Sequence, residues 1–350
     1  MKIMVFDVPA DSGGALSILE EYYHKAINYP DKNIQWVFVL SKANFKETNK
    51  VKILRYPWVK KSWWHRLFFD YFIAPRLVKK HKPDKILSLQ NTIIPRTNKI
   101  EQILYIHQSL PFVEYKFKLR ENIRYWVYQN IIGRMIVKSI EKADCVIVQT
   151  NWMKKACIKK AHVEINKILV EPPKINVEVR NHFESKKANL KTFFYPAHGA
   201  SYKNHKIIIE ACEKLKDKGI NDYKLIFTLQ GDEYPHISKL YKKVLEKGLP
   251  INFIGKIDRE TVFDYYKKSV LIFPSYIETF GLPLLEAKLH KSPIIACDMA
   301  FAHEILEDYD KVLFFDPFNS EELYESMLKI FSLEEKNLDK KVSKYPDSPL

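Results

Sequence analysis

At 350 residues, the chain exceeds the size at which one hydrophobic core keeps growing, so two domains of roughly 170 residues each are expected. Hydrophobic residues make up 46% of it and glycines number only 9, which excludes a disordered or fibrous chain. Its four cysteines are widely spaced and form no CxxC pair, so neither a disulfide framework nor a zinc site is expected, and a reducing cytoplasm is the expected location.

The charge is +15 overall and is concentrated in residues 42–82, where twelve Lys or Arg stand against two acids. Aromatic side chains are interleaved with these cations: Trp58, Trp63, Trp64, Phe68, Phe69, Tyr71 and Phe72. Such a surface attracts phosphate-rich partners or the anionic face of a bilayer, although an ordinary solvated face explains the lysines equally well. Nucleic acid is not expected as a partner, because the sequence contains no recognised nucleic-acid-binding motif.

Each apolar run is too short for a signal peptide or a membrane span.

Short β-like runs alternate with helical patterns through the first half of the chain. This alternation is typical of a doubly wound parallel sheet with helices on both faces. The predicted strands are 2–8, 34–40, 52–56, 85–89, 103–107 and 145–149. The predicted helices are 15–27, 63–80, 119–142 and 151–160.

The second half repeats the same alternation, so a second Rossmann-like domain is predicted. Its strands are 192–195, 224–229, 252–255, 270–273, 293–296 and 312–315. Its helices are 204–218, 236–247, 259–268, 282–290 and 321–330, the last with Asn319 as N-cap and Glu322 completing a capping box. The predicted division is a domain at 1–175, a polar linker at 176–190, a domain at 191–332 and a tail at 333–350.

The most informative segment is 273–306, which begins where a buried strand ends and a helix starts. A helix N-terminus at the carboxyl edge of a parallel sheet offers free N–H groups and partial positive charge to an anion such as a diphosphate. Gly281 leaves the amides around Phe280 and Leu282 open to close approach. Glu278 and Glu286 flank this turn, and each carboxylate can accept hydrogen bonds from neighbouring sugar hydroxyls. Two solvated acids on an ordinary helix are the alternative.

This segment resembles the donor-binding signature of glycosyltransferase family 4: a Glu, then FG, then a second Glu eight positions after the first. Glu278, Phe280, Gly281, Leu282 and Glu286 match in place, with Pro274 and Ser275 before them. The resemblance implies a GT-B fold, an α/β architecture of two Rossmann-like domains facing a central cleft. It implies a donor in that cleft, with Glu286 on the ribose and Glu278, next to Thr279, on the transferred sugar.

Further family positions follow in the second half. Lys203 resembles the cation that stabilises the leaving diphosphate, with a surface lysine as the alternative. Five positions before it the family usually has Arg, whereas this chain has His198. Gly255 and Lys256 follow a strand where the family binds the nucleotide base. Glu304 matches a frequent position near the donor, and a helix-start role explains it equally well.

In the first half, Ser12, Gly13 and Gly14 resemble the family's first loop, where two glycines let the backbone turn beneath a phosphate or sugar. His107 resembles the histidine that contacts the transferred sugar, with a satisfied core histidine as the alternative. Thr150, Asn151 and Trp152 resemble the acceptor-side turn, and Asn151 is also the expected N-cap of the next helix.

The resemblance implies a retaining hexosyltransferase that uses a UDP- or GDP-sugar, with Glu278, His107 and Lys203 as the catalytic residues. No metal or other cofactor is expected, since the resemblance implies that backbone amides and cationic side chains meet the charge of the phosphates. The acceptor is expected to be a glycan or a polyprenyl-diphosphate-linked glycan of a surface polysaccharide, at the inner face of the cytoplasmic membrane. A sugar-nucleotide epimerase of the same fold and a non-enzymatic sugar-nucleotide or nucleic-acid binding protein are the alternatives. A nicotinamide dehydrogenase is disfavoured, because no GxGxxG follows a predicted strand.

Overall fold

The computed structural model describes residues 1–97, 99–174, 179 and 181–332. Within it the chain divides into two compact units, 1–175 and 176–350, each built on its own parallel sheet. The predicted tail 333–350 lies outside the described residues, as do residues 176–178 and 180 of the predicted linker. The last residues of that linker form a short helix, α7 (Lys187–Leu190).

The first unit, residues 1–175, contains a seven-stranded sheet in the order β3-β2-β1-β4-β5-β6-β7. Its strands are β1 (Lys2–Asp7), β2 (Gln35–Leu40), β3 (Val51–Arg55), β4 (Lys85–Ser88), β5 (Glu101–Ile106), β6 (Cys145–Val148) and β7 (Ile168–Val170). Its helices are α1 (Gly13–Ile27), α2 (Trp63–Phe68), α3 (Ala74–His81), α4 (Ile123–Val127), α5 (Gly133–Lys142) and α6 (Asn151–Ala161). The edge strand β7 is the one strand of this sheet that the sequence pattern did not predict.

Both long predicted helices of the first unit are interrupted by a π-helical turn. Residues Phe69–Ile73 separate α2 from α3, and residues Tyr128–Ile132 separate α4 from α5. Pro75 lies in the first turn of α3 and has no N–H to donate to the preceding turn, so the regular ladder cannot continue through it. Helix α6 begins with Thr150 as its N-cap. The prediction that Asn151 is the cap is therefore wrong by one position.

The second unit contains a six-stranded sheet in the order β10-β9-β8-β11-β12-β13. Its strands are β8 (Thr192–Tyr195), β9 (Lys224–Phe227), β10 (Ile251–Phe253), β11 (Val270–Phe273), β12 (Ile294–Cys297) and β13 (Val312–Phe315). After α7 its helices are α8 (His205–Asp217), α9 (Pro235–Glu246), α10 (Arg259–Tyr266), α11 (Leu282–Leu289), α12 (Ala300–Ile305) and α13 (Ser320–Phe331). Asn319 is confirmed as the N-cap of α13: its side-chain oxygen accepts from the Glu321 N–H, and its side-chain amide donates to the Glu322 carboxylate. The reciprocal bond of a capping box is replaced, because the Asn319 N–H donates to the Asp316 carbonyl.

Central strands in both sheets are buried on both faces, as all-parallel sheets covered by helices require. In β8, for example, Phe193, Phe194 and Tyr195 are fully buried. The order of connection reverses between β1 and β4 in the first sheet and between β8 and β11 in the second. The loops at the carboxyl ends of those strand pairs are where a doubly wound fold binds its ligands.

Candidate functional site

The loops that follow β8 and β11 bring Lys203 and Glu278 together. Lys203 ends a 3₁₀ turn, Ser201–Lys203, and its ammonium forms an ion pair with the Glu278 carboxylate. Both side chains are mostly buried, with 12% and 16% of their areas exposed. The Tyr195 hydroxyl donates to the Lys203 carbonyl at 2.7 Å, and the Tyr276 N–H donates to the Tyr202 carbonyl at 3.3 Å. The two loops are therefore held against each other at the reversal of strand order.

Gly281 opens α11 in the left-handed region, with φ at +95°. A Cβ at this position would lie 3.3 Å from Leu284 Cδ1 and 3.4 Å from the Phe301 ring, so conformation and space both favour glycine. The N-terminal amides of α11 have no side-chain cap in the described structure. Pro283 has no N–H, and the Leu284 N–H donates to the Gly281 carbonyl at 2.9 Å. The amides of Gly281 and Leu282 are therefore the ones that an anion can approach, a few residues from the Lys203–Glu278 pair and from the half-buried Thr279.

Glu286 lies in the second turn of α11 and is only 8% exposed. Its carboxylate accepts hydrogen bonds from Arg259 at 3.0 Å and from the Tyr266 hydroxyl at 3.2 Å. Burial raises the pKa of Glu286, and the Arg259 guanidinium opposes that shift. The carboxylate is thus already held in place by two groups of α10.

His198 lies exposed in the loop after β8, and its Nδ1 accepts from the Ala200 N–H at 3.3 Å. Desolvation lowers its pKa, and the positive charge of Lys203 lowers it further. The family that the chain resembles usually has an arginine, a permanent cation, at this position. His198 instead loses its charge more readily than an ordinary histidine.

The remaining predicted positions of the second unit lie in neighbouring loops and helices. Gly255 follows β10 with φ at +73°, and its N–H donates to the Leu229 carbonyl at 2.9 Å. Lys256 beside it is exposed. Phe280 is buried in the loop after β11. Glu304 is half-buried on α12.

The predicted residues of the first unit lie at the carboxyl ends of β1, β5 and β6, the last of which is followed by Thr150, Asn151 and Trp152. Gly13 and Gly14 are exposed at the start of α1, with open space around both. His107 Nε2 lies 2.9 Å from the Leu89 carbonyl and 3.1 Å from the Asn91 amide nitrogen. Burial lowers the pKa of His107 to about 4, so the ring is neutral near pH 7.

Sequence reasoning missed Arg259 and Tyr266, the two partners of Glu286. Both lie on α10, at the positions 27 and 20 residues before the glutamate, and no local pattern links them to it. It also missed Asp7, which is fully buried at the end of β1. Burial raises the pKa of Asp7 well above its usual range, opposed by the Arg66 guanidinium. A lone acid ending an apolar strand just before a glycine loop was the available signal.

Within the part of the chain that the structure describes, no group of three or more His, Cys, Asp or Glu side chains is arranged to hold a metal ion. No helix among the described residues has the length and apolar character to cross a membrane.

Residues 178–346 match the family model described as Glycosyl transferases group 1. The O-antigen chain mannosyltransferase RfbU of Salmonella typhimurium is 24% identical over 262 residues, which cover 75% of this chain and 69% of that protein. Two solved structures share the fold. The Anabaena protein HepE in complex with UDP-glucose aligns with a TM-score of 0.66 at 15% identity, over 95% of this chain and 90% of the HepE chain. The lipopolysaccharide outer core galactosyltransferase WaaB aligns with a TM-score of 0.67 at 16% identity, over 99% of this chain and 96% of the WaaB chain.

These likenesses establish the predicted GT-B fold, which its two parallel sheets also show. The match of the second unit to a transferase family and the mannosyltransferase relative agree on the class of reaction. The chain is an enzyme of the glycosyltransferase superfamily.

Proposed function

We propose that the chain is a retaining glycosyltransferase of family 4 that moves a hexose from a nucleotide-diphosphate sugar to a glycan or lipid-linked glycan. The observation that carries this proposal is the Lys203–Glu278 ion pair, formed beside the uncapped start of α11. One cation, one carboxylate and free amides at the carboxyl edge of a parallel sheet are the groups that a sugar diphosphate needs.

The ion pair suggests how the two side chains divide the donor between them. A diphosphate bound to the α11 amides competes with Glu278 for the Lys203 ammonium, because its two phosphoryl groups together carry more negative charge than one carboxylate. The Glu278 carboxylate is then free to accept hydrogen bonds from the hexose hydroxyls. The proposal therefore assigns Lys203 to the leaving group and Glu278 to the transferred sugar.

The ribose is assigned to Glu286, whose carboxylate has acceptor capacity beyond its bonds to Arg259 and Tyr266. The Arg259 guanidinium opposes the rise in pKa that burial causes and so favours the ionised carboxylate, which accepts from hydroxyl groups. Gly255 and Lys256, in the loop after β10, are assigned to the base.

Lys203 and the α11 amides supply the positive charge that the diphosphate needs, and the neutral His198 ring can donate a hydrogen bond to it, so the proposal requires no metal and no other cofactor. The sugar–phosphate C1–O bond breaks while the acceptor oxygen bonds to C1 from the same face. The acceptor proton passes to the departing phosphate oxygen, which balances the step and retains the configuration at C1. Stabilising the leaving diphosphate is then the main catalytic contribution.

The donor is proposed to be a UDP- or GDP-sugar. HepE has been solved with UDP and with UDP-glucose, and RfbU is a mannosyltransferase. A thermal-shift panel of UDP-, GDP- and ADP-sugars tests this, because a bound donor stabilises the fold by mass action. Product analysis with the donor alone separates transfer from epimerisation: an epimerised sugar nucleotide formed without any acceptor would contradict the proposal.

The acceptor is proposed to belong to surface polysaccharide assembly, O-antigen or capsule, in the cytoplasm at the inner face of the membrane. RfbU and WaaB are named for O-antigen and lipopolysaccharide synthesis, and residues 42–82 are rich in cations and aromatic side chains. Acceptor recognition is assigned to the first unit, at the turn that holds Thr150, Asn151 and Trp152, while Gly13 and Gly14 are assigned to the donor and His107 to the transferred sugar. Co-sedimentation with neutral and anionic vesicles tests the membrane location, and binding that is indifferent to lipid charge would contradict it.

A further inference from the structure

The first unit contains a groove that the proposed reaction does not use. The connection from β4 to β5, residues 89–100, has no helix in its described part. Between this connection and α3 lies a groove of about 650 Å³. It is lined by Tyr71, Phe72, Pro75, Arg76, Val78, Lys79, Arg96, Thr97, Lys99 and Ile100.

The charge of this groove has one sign. Four of its described lining residues are cations, namely Arg76, Lys79, Arg96 and Lys99, and none is acidic. A cavity of about 870 Å³ next to it differs, because acids stand among its cations: it is lined by Asp70, Glu101 and Asp144 as well as by Arg96, Lys99, Lys138 and Lys142. An anionic group is therefore attracted more strongly to the groove, where no lining acid opposes the cations.

Apolar side chains also line the groove, which distinguishes its ligand from a free anion. Tyr71, Phe72, Val78 and Ile100 line it together with the cations, and the Arg96 guanidinium lies 5.8 Å from the centre of the Phe72 ring. Four cations and an apolar lining complement a molecule that is both anionic and apolar. A phospholipid has its phosphate and its acyl chains joined in this way.

An exposed aromatic surface continues from the groove along the same helical segment. It consists of Trp63, Trp64, Phe68, Tyr71 and Phe72, of which Trp64 is 79% exposed. The Phe68 and Phe72 rings stack at 5.4 Å, and Trp63 contacts Tyr128 at 5.9 Å. A contiguous aromatic surface of this kind on a soluble unit marks an interaction site, and Trp and Tyr are the residues enriched at the bilayer interface.

We propose that the groove binds the phosphate of an anionic membrane phospholipid through Arg76, Lys79, Arg96 and Lys99, while Trp63, Trp64 and Phe68 enter the interfacial layer. This inference rests on the membrane location in the proposed function and adds a specific headgroup site to it. The site orients the first unit on the bilayer by one groove and one helix face.

The test is co-sedimentation with phosphatidylcholine vesicles, with and without phosphatidylglycerol, for two matched double variants. The first, Lys79→Gln with Lys99→Gln, removes two exposed lysines of the groove. The second, Lys32→Gln with Lys159→Gln, removes two exposed lysines of the same unit that do not line it. The groove variant is expected to lose about 25-fold in partition onto phosphatidylglycerol vesicles, at about fivefold per lysine. The control variant is expected to lose no more than about twofold.

An equal loss in the two variants would overturn the headgroup site, since diffuse charge would then explain binding. A Trp64→Ser variant tests the aromatic surface, with Leu169→Ser as its control on another exposed apolar side chain of the unit. The first is expected to weaken binding about tenfold and to reduce the lipid-induced blue shift of tryptophan fluorescence, of which Trp63 keeps a part. Loss of binding in both would contradict the aromatic assignment.

Donor binding, followed by thermal shift, is expected to be unchanged in all four variants because the donor residues of the second unit are intact. Lipid binding without any donor-induced shift would refute the proposed function and leave the groove standing. A donor-induced shift combined with indifference to phosphatidylglycerol would refute the groove alone.

Discussion

The Lys203 ammonium and the Glu278 carboxylate, 75 positions apart in the chain, form an ion pair at the carboxyl ends of two neighbouring strands. Lys203→Ala removes the group proposed to stabilise the leaving diphosphate. We expect kcat/KM for glycosyl transfer to fall about 100-fold or more. The control is Lys206→Ala, because Lys206 is exposed near the start of α8 and pairs with Glu210 at 3.3 Å. Steady-state kinetics measure both variants. Equal activity of Lys203→Ala and the control would remove Lys203 from the mechanism.

Glu286→Ala removes the carboxylate assigned to the ribose. We expect affinity for the sugar nucleotide to fall about tenfold or more, because hydrogen bonds to a charged group are lost. Calorimetry with the ribonucleotide and with its 2′-deoxy analogue measures the effect, and the analogue is expected to lose less. Arg259 is expected to tolerate the loss of its partner, since 58% of its side chain is exposed. A variant that binds the ribonucleotide like the wild type would refute the ribose assignment.

Glu286 also predicts a pH dependence of stability. Burial raises its pKa in the folded protein, so the folded state binds a proton more readily than the unfolded state does. The resulting stabilisation is present below the unfolded pKa and is lost as the pH rises through the folded one. Urea unfolding of the wild type and of Glu286→Gln across the acidic range measures it. Identical pH profiles would contradict the prediction.

His198 predicts that donor binding depends on pH. Desolvation and the charge of Lys203 lower the pKa of His198, so the ring is neutral near pH 7. It becomes positively charged only at a pH below the pKa of an ordinary histidine. His198→Arg is expected to raise donor affinity about tenfold at neutral pH and to flatten the pH profile, because a permanent cation then faces the diphosphate. Titration calorimetry from about pH 5 to about pH 8 checks this. A profile equally steep in the variant would show that another group titrates.

Gly281→Ala tests the backbone that opens α11. With φ at +95°, alanine is expected to cost about 1–2 kcal/mol of stability, and the shifted amides are expected to weaken donor binding. Gly219→Ala is the matched control, because Gly219 has φ at +77° in the same unit and open space around it. Both variants are expected to unfold more easily, whereas only Gly281→Ala loses donor affinity. Equal donor affinity in the two variants would contradict the proposal that the α11 amides bind the diphosphate.

Local pattern predicted most elements of both sheets, because a strand buried on two faces is a continuous apolar run such as that of β11. It missed β7, which has three residues of which only Ile168 is buried, too few to form a pattern. It missed α12 because those six residues lie inside a loop-like segment. It read α2–α3 as one helix, since a π turn inserts a residue without changing the composition of the amphipathic face.

The sequence alone was enough to identify the segment from Glu278 to Glu286 as resembling a donor-binding signature, because the order of residues within one turn and one helix is local. Only the tertiary structure decided what that motif contacts: Lys203 beside Glu278, and Arg259 and Tyr266 on Glu286. A parallel sheet returns the chain through a crossover before the next strand begins, so groups that meet at its carboxyl edge are far apart along the chain. Hydrophobic periodicity reports the face that a residue buries and carries no information about which distant loop lies against it.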